Sequence, residues 1–368
     1  MNHFHVDTLD NVHHHIQPTD RLVLLFIDID KYDTDILDDL SSQHPDTHII
    51  GVTTSGEIGS KGLTSKTISG LVFSDKDGKA EAVFVDNAHV SPMTALKELK
   101  NQAQKAGQSL TNKQPNDVTL VFPTGLNGCE EKVVATVNQV HDYADPLVIG
   151  ATAGDDAQFN NTYVYLNGKS DINGAVVVFM HSAHDIKTYK DVIFEPIGKT
   201  LHVTKADHTN RRVYTLNDQP ASKAYASALG VSTSTLSDYF MSNPVGRIAG
   251  DDVFIASPFQ INSDQSIDFY CQVFEGTTLH VMQNIDPVER LKQTLRQIKY
   301  DFKKVEGTLF FNCILRKIQF EQTGLTKTIG DLMNESPNAC GFVSYGEQEN
   351  RAQINQTLLT LVFGKGGY

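Results

Sequence analysis

The sequence predicts an α+β fold, with mixed sheets flanked by helices. Short apolar runs rich in Val, Ile, Leu and Phe, which are typical of buried strands, alternate with amphipathic stretches of helical period. The same strand–helix–strand–strand order then returns along the chain. Apolar residues make up 40% and charged residues 20% of the 368 positions, which is the composition of a globular protein with a sizeable core.

Each copy of the repeated unit starts with an apolar strand and continues through a helix. A second strand then ends in a glycine-containing turn with a carboxylate, and a return strand ends in Phe. The first strands are 22–27, 118–122 and 308–313, the second strands with their turns are 49–57, 148–156 and 341–347, and the return strands are 68–73, 175–179 and 358–363. The spacings between copies are unequal, so we interpret the pattern as a loose βαββ duplication rather than a solenoid.

Other elements lie between these copies. Ser91 and Pro92 are typical of a helix start, and Gly107 marks its end. Asp286 caps a second helix with one apolar face, and residues 247–282 have the short apolar runs of antiparallel strands.

Strands give way to a short Ala-rich helix near Asn217, and we place the domain boundary there. The predicted domains are 20–216 and 217–364, preceded by a polar extension over 1–19.

Charge and thiol content narrow the function classes. The formal net charge is −13 and no Lys/Arg-rich run interrupts it, so we expect neither nucleic-acid nor membrane-surface binding. The N-terminus lacks the apolar segment of a signal peptide. The four cysteines form no C-x-x-C pair and are expected as reduced thiols, which indicates a cytoplasmic protein.

The sequence offers little support for catalysis. It contains no G-x-x-x-x-G-K-[ST] loop, and the segment 341–346 has one residue too many for a G-x-S-x-G elbow. Neither an H-E-x-x-H motif nor a Cys/His quartet is present, which disfavours a zinc site. Cys313 is the best thiol candidate, but its apolar neighbours indicate an inert core residue. We therefore expect a protein that is not an enzyme.

A charged residue at the end of an apolar segment marks a candidate site. Reading 309–316 as a strand places Asn312 and Arg316 on one face. The guanidinium fork suits a carboxylate, which either a ligand or the protein could supply. Glu347 and Asp155 are the candidate protein partners, so structural pairing and ligand recognition both stay open.

Polar residues at strand ends extend this candidate site. Asp155 and Glu347 follow strand ends and glycines, where crevices favour ligands, although each carboxylate could instead cap its own turn. Tyr345 accompanies Glu347. Asn355 and Thr357 alternate onto one face of the last strand, where buried polar groups need partners, and are predicted to line a pocket.

Several segments, taken in order, resemble the FIST family. Residues 50–58 are similar to its "GcStaGEi" motif and 149–156 to its "vGG.AGDd" motif. Other similar segments are 196–206 ("PiG…VTka"), 217–221 ("l.g.pA"), 243–246 ("fPlG"), and the series 311–316, 341–347 and 355–357 ("FNCigR…GF.tyGE…NqT"). The resemblance covers roughly 20–364. One departure is the aromatic segment before "PiG", which often contains Trp in the family; here it is 192–195, and Phe194 is its aromatic residue.

The resemblance implies a sensory module with a FIST N-terminal and a FIST C-terminal half that binds a small ligand, with an amino acid suggested. Output would pass through a separate partner, a histidine kinase or a cyclic-di-GMP enzyme. The alternative it implies is a haem-based nitric-oxide sensor of the NosP type that regulates a histidine kinase. For that alternative, His184 and His202 are the candidate haem ligands.

Overall fold

A computed structural model of the protein describes residues 1–250 and 252–366. It confirms the α+β fold, with several mixed sheets accompanied by helices. The chain divides into two compact units: unit 1 comprises Met1–Asp191, Leu291–Ala352 and the described residues from Leu358 onward, and unit 2 comprises Val192–Arg290 and Gln353–Thr357. Within the described ranges, no helix has both the length and the apolar character that crossing a membrane requires.

Seven α-helices and four shorter 3-10 helices fall within the described residues. The α-helices are α1 (Thr34–Gln43), α2 (Leu96–Lys105), α3 (Glu130–Val137), α4 (Ala221–Leu229), α5 (Pro287–Asp301), α6 (Ile314–Gln322) and α7 (Thr326–Met333). The 3-10 helices are Leu9–His15, Ile29–Lys31, Pro92–Ala95 and Thr233–Tyr239.

The strands up to the end of the second copy of the repeat are β1 (Asn2–Val6), β2 (Asp20–Asp28), β3 (His48–Thr54), β4 (Glu57–Gly59), β5 (Gly62–Thr64), β6 (Ile68–Ser74), β7 (Gly78–Val85), β8 (Asp117–Pro123), β9 (Val148–Ala151), β10 (Val164–Leu166), β11 (Lys169–Asp171) and β12 (Ala175–Ser182). They are followed by β13 (Asp185–Val192), β14 (Phe194–Asp207), β15 (Arg212–Leu216), β16 (Gln219–Pro220), β17 (Val245–Ala249), β18 (Asp252–Ala256), β19 (Pro258–Ile261), β20 (Ile267–Phe269) and β21 (Thr278–Asn284). The last strands are β22 (Phe302–Cys313), β23 (Ala339–Ser344), β24 (Glu347–Glu349), β25 (Ala352–Ile354) and β26 (Thr357–Gly366).

Unit 1 contains three sheets that share one strand order. In each, the first strand of a copy pairs in parallel with its second strand and antiparallel with its return strand, as β2 does with β3 and β6. The three orders are β1-β6-β2-β3-β10-β11, β7-β12-β8-β9-β24-β25 and β13-β26-β22-β23-β4-β5. The loose sequence repeat is therefore a true repeat of structure.

Each sheet is completed by a hairpin from another copy. Strand β4 of the first copy pairs with β23 of the third, where Glu57 lies opposite Phe342. Strand β24 of the third copy pairs with β9 of the second, where Glu347 lies opposite Ala151. Strand β10 of the second copy pairs with β3 of the first, which closes a ring of three exchanges. The turn carboxylates consequently lie at seams between copies.

Equivalent phenylalanines from the three copies meet in the core of unit 1. Phe26, Phe122 and Phe311 are fully buried, and their ring centroids are separated by 6.2, 6.4 and 5.9 Å. These separations are within the range of favourable aromatic pairs. A Cβ at Gly150 would lie 1.9 Å from the carbonyl oxygen of Val121 on the adjacent strand, so only glycine fits there.

Unit 2 consists mainly of one inserted segment, Val192–Arg290, together with Gln353–Thr357 from a later part of the chain. Its strands run in the order β18-β17-β21-β14-β15-β20-β19, and its core includes Tyr225, Val203 and Leu279. The chain enters unit 2 at Val192, so these contact-defined units do not coincide with the predicted domains that meet near Asn217.

Candidate functional site

The loop 155–163 follows the second strand of the second copy and has an unusual backbone. Asp156, Ala157 and Phe159 adopt left-handed φ angles of 53°, 61° and 53°, which non-glycine residues adopt at a cost. The carboxylate of Asp155, a residue that is only 1% exposed, offsets this backbone cost through hydrogen bonds. Its oxygens accept hydrogen bonds from the N–H groups of Phe159, Asn160 and Asn161 at 3.0, 2.7 and 3.1 Å. The carboxylate thus holds the loop in this shape.

Tyr345 reaches the same carboxylate from the third copy. Its hydroxyl donates to Asp155 Oδ1, and its ring stacks on Phe159 with centroids 5.3 Å apart and planes inclined by 19°. Burial and the adjacent carboxylate both raise the pKa of Tyr345, so the phenol stays a donor. Two residues that the sequence singled out separately, Asp155 and Tyr345, are therefore in direct contact.

The loop forms one wall of an open cleft in unit 1. The cavity has a volume of about 510 Å³ and is lined by Ile29, Tyr32, Thr34, Asp155, Gln158, Asn160, Asn161 and Tyr163. Tyr32 and Tyr163 stack with centroids 5.1 Å apart, and Tyr32 Oη lies 2.6 Å from Ser170 Oγ. None of these lining residues is a lysine or arginine. Carboxamides and hydroxyls supply both donors and acceptors, and the cavity has the size of a small-molecule site.

Most of this wall escaped the sequence analysis. Tyr32, Tyr163, Asn160 and Asn161 were not among the predicted site residues. The run of polar residues directly after the Asp155 turn was an available signal. No sequence signal indicated Tyr32, because this residue belongs to the first copy of the repeat. It lies beside the loop of the second copy because β10 pairs with β3.

Arg316 lies in a helix, and not on the strand that was predicted over 309–316. Strand β22 ends at Cys313 and α6 begins at Ile314. The predicted partners Glu347 and Asp155 are also wrong, because Arg316 Nη1 donates to Asp191 Oδ1 at 3.0 Å, and its Nε donates to Asn312 Oδ1 at 3.0 Å.

This cluster is fully buried. Arg316, Asn312 and Asp191 each have no exposed surface, and Thr294 Oγ1 donates to Asp191 Oδ2 at 3.0 Å. Arg316 Nη2 makes no hydrogen bond to any described residue. Arg316 and Asn312 were predicted to lie together, and they do.

The other two turn carboxylates accept hydrogen bonds from nearby hydroxyl groups. Ser344 Oγ donates to Glu347 Oε1 at 2.7 Å, and Thr67 Oγ1 donates to Glu57 Oε2 at 2.8 Å. Burial raises the pKa of Glu57 to about 7. Both residues lie at seams between copies and line no part of the 155–163 cleft.

Asn355 and Thr357 belong to unit 2. Asn355 precedes β26 and does not lie on it as predicted, since that strand begins at Thr357. Thr357 Oγ1 donates to the Asn355 carbonyl at 2.8 Å. The buried Asn355 carboxamide makes no hydrogen bond to a described residue, which keeps it a candidate ligand contact.

The two candidate haem ligands lie in different surroundings. His184 Nε2 lies 2.8 Å from Asp77 Oδ1, an oxygen that also accepts from the Met1 amino group at 2.8 Å. His202 is exposed on β14. Among the described residues, no group of three or more His, Cys, Asp or Glu side chains is placed to hold a metal ion.

A mixed sheet scaffold with a polar cleft beyond strand ends is typical of a protein that binds small ligands. Two family models match the chain, the FIST N domain over residues 21–219 and the FIST C domain over 221–350. The chain therefore belongs to the FIST family, whose domains are sensory, small-ligand-binding domains of signal transduction rather than catalytic ones. No curated protein matches the chain.

Proposed function

We propose that this protein senses an amino-acid-like small molecule, which binds in the cleft formed by the 155–163 loop. The observation that carries the proposal is the cleft itself, a cavity of about 510 Å³ beside a loop held in a left-handed backbone by the buried Asp155. A wall fixed by tertiary contacts loses little conformational freedom when a ligand binds, which favours affinity.

The lining chemistry suits a zwitterion. Carboxamides carry both N–H donors and carbonyl acceptors, so Gln158, Asn160 and Asn161 can serve the carboxylate and the ammonium of one ligand. Tyr32 and Tyr163 supply ring surface for an apolar or flat side chain. Asp155 and Tyr345 act as positioning residues, because their polar groups already satisfy each other and the loop N–H groups.

The other residues predicted from the sequence do not line the cleft. Arg316, Asn312 and Glu347 are supporting groups, since all three are fully buried and hydrogen-bonded within unit 1. Asn355 and Thr357 in unit 2 are a second proposed contact point, supported by the unsatisfied Asn355 carboxamide.

Output is proposed to pass through a separate partner in the cytoplasm, a histidine kinase or a cyclic-di-GMP enzyme. The support for this proposal is the family's general role in signal transduction. All four cysteines are buried, and we propose that they are reduced thiols, the state that a reducing compartment maintains.

Thermal-shift measurements with each of the twenty amino acids at millimolar concentration test the proposal. A ligand that binds the native state raises the melting temperature. We expect at least one amino acid to stabilise the protein, and Asn160→Ala with Asn161→Ala to remove that shift. Asn112→Ala, an exposed site away from the cleft, is the control and should keep it. No shift with any of the twenty would contradict the proposal.

A further inference from the structure

Two adjacent basic residues on α6 contact two separate parts of unit 1. Lys317 Nζ lies 2.9 Å from Asp156 Oδ1 in the cleft loop, and Lys317 is only 9% exposed. Arg316, the preceding residue, pairs with Asp191 at 3.0 Å. One turn of helix therefore connects the cleft wall with the buried arginine cluster.

Asp191 lies where the chain crosses between the two units. It is the last residue of unit 1 before Val192, and the chain returns to unit 1 at Leu291. Arg316 holds one oxygen of the Asp191 carboxylate and Thr294, just after the return, holds the other, both at 3.0 Å. The cluster thus ties the first two of the four chain crossings to α6.

We propose that Lys317 is a positioning residue for the cleft loop and that α6 transmits the state of that loop to Asp191, at the chain crossing between the units. The inference rests on the proposed function for its biological meaning. In this proposal, ligand binding in the cleft alters the segment around Asp191, where the chain passes from unit 1 to unit 2.

The physical basis is a series of charged contacts along α6, where Lys317 lies closer to Asp156, at 2.9 Å, than to its second acidic neighbour Glu321, at 3.6 Å. Asp156 has a φ of 53° and follows Asp155, whose carboxylate accepts three N–H groups of the same loop, so the backbone that carries its side chain is held in place. The Lys317 side chain is 11% exposed and that of Asp156 is 37% exposed, so the pair is screened less than one between two fully exposed side chains. Adjacent residues on one short helix move together, so a displacement of Lys317 carries Arg316 with it.

Hydrogen exchange of the full chain, with no ligand added, tests the inference. Lys317→Met keeps the aliphatic stem and removes the charge. We expect amide exchange to rise about tenfold at 156–161 and about threefold at 185–191. Lys327→Met is the matched control, because Lys327 is 85% exposed in a pair with Asp331 on α7, and it should change neither segment.

A second variant approaches the same path from its other end. Thr294→Val removes one hydrogen bond to Asp191 and preserves side-chain volume. It should raise exchange at 185–191 and also at 156–161. A rise confined to the segment nearest each substitution, or no rise at all, would overturn the inference. Because no ligand is used, these outcomes are independent of the amino-acid panel, whose failure would instead count against the proposed function.

Discussion

The Asp155 carboxylate organises the cleft through contacts that an amide cannot reproduce. Asp155→Asn keeps one acceptor oxygen, while three loop N–H groups and the Tyr345 hydroxyl compete for it. Hydrogen bonds to a charged group contribute about 1.5–3 kcal/mol each, so we expect the variant to lose about 2–4 kcal/mol of unfolding free energy. Chemical denaturation measures this loss.

The control for that prediction is Asp171→Asn. Asp171 Oδ1 accepts one backbone N–H, from Asn173 at 2.9 Å, at a partly exposed site. The structure assigns no cleft contact to it, so its loss should stay below about 1 kcal/mol. Equal effects from the two substitutions would contradict the role given to Asp155.

The raised pKa of Glu57 should make the unfolding free energy depend on pH. Its pKa is raised from 4.5 to about 7 by burial, so the folded protein binds this proton more tightly than the unfolded chain. The unfolding free energy should therefore fall as pH rises from 4.5 to 7, by about 3 kcal/mol from this group. Glu57→Gln should remove that part of the slope, while Glu98→Gln on the exposed face of α2 should leave it. A wild-type profile that Glu57→Gln leaves unchanged would be the contrary result.

At the residue scale, the sequence identified polar groups but not their partners. Arg316 was correctly expected to need a carboxylate. Its partner Asp191 is 125 residues away in sequence, across the insertion of unit 2, and no local pattern indicates such a pair. The start of α6 was equally hidden, because Cys313 provides no side-chain cap and the apolar run continues through it.

At the scale of elements, the threefold repeat determines how strands and helices pack. The phenylalanines at its centre lead to a prediction about stability. Phe26→Ala and Phe122→Ala should each destabilise the fold by about 3–5 kcal/mol, since both rings are fully buried. The double variant should lose less than the sum, because the two rings are 6.2 Å apart and share one cavity.

Phe84→Ala on β7 is the comparison for these substitutions. The Phe84 ring is only partly buried, so its removal should lower the unfolding free energy by less. Denaturant titration of the four variants measures both quantities. Strict additivity of the Phe26 and Phe122 losses would mean that the two copies do not share a core.

The repeat itself could be predicted from sequence, and its closure could not. Strand–helix–strand–strand order follows from hydrophobic periodicity and glycine turns, which are local. The exchanging strands β4, β10 and β24 have three residues each, too few for a periodic signal. Their pairing with another copy brought Tyr345 to Asp155 and Tyr32 to Tyr163, so the cleft itself was beyond a sequence-based prediction.

At the scale of the whole molecule, the haem alternative gives a spectroscopic prediction. His184 is held by Asp77 and His202 is exposed, so we expect protein supplied with haemin to show no Soret band that depends on either residue. Absorption spectra of the wild type, His184→Ala and His202→Ala decide this. A stable Soret band that one of these substitutions removes would favour haem binding over the amino-acid proposal.

The division of the molecule illustrates a further limit of sequence analysis. The family models meet between residues 219 and 221, while contacts divide the chain after Asp191 and again after Arg290. An insertion that pairs its strands internally gives no local sign of where it enters a repeat. The strands β14 and β15 read as a continuation of the first half, although they pair within unit 2.

Hydrogen exchange with and without the amino acid that gives the largest thermal shift tests the central claim most directly. A ligand in the cleft should slow amide exchange at 155–163 and around Tyr32, with weaker slowing at 185–191. Protection that leaves the 155–163 loop unchanged and falls elsewhere, for example around Asn355 alone, would contradict the site described above.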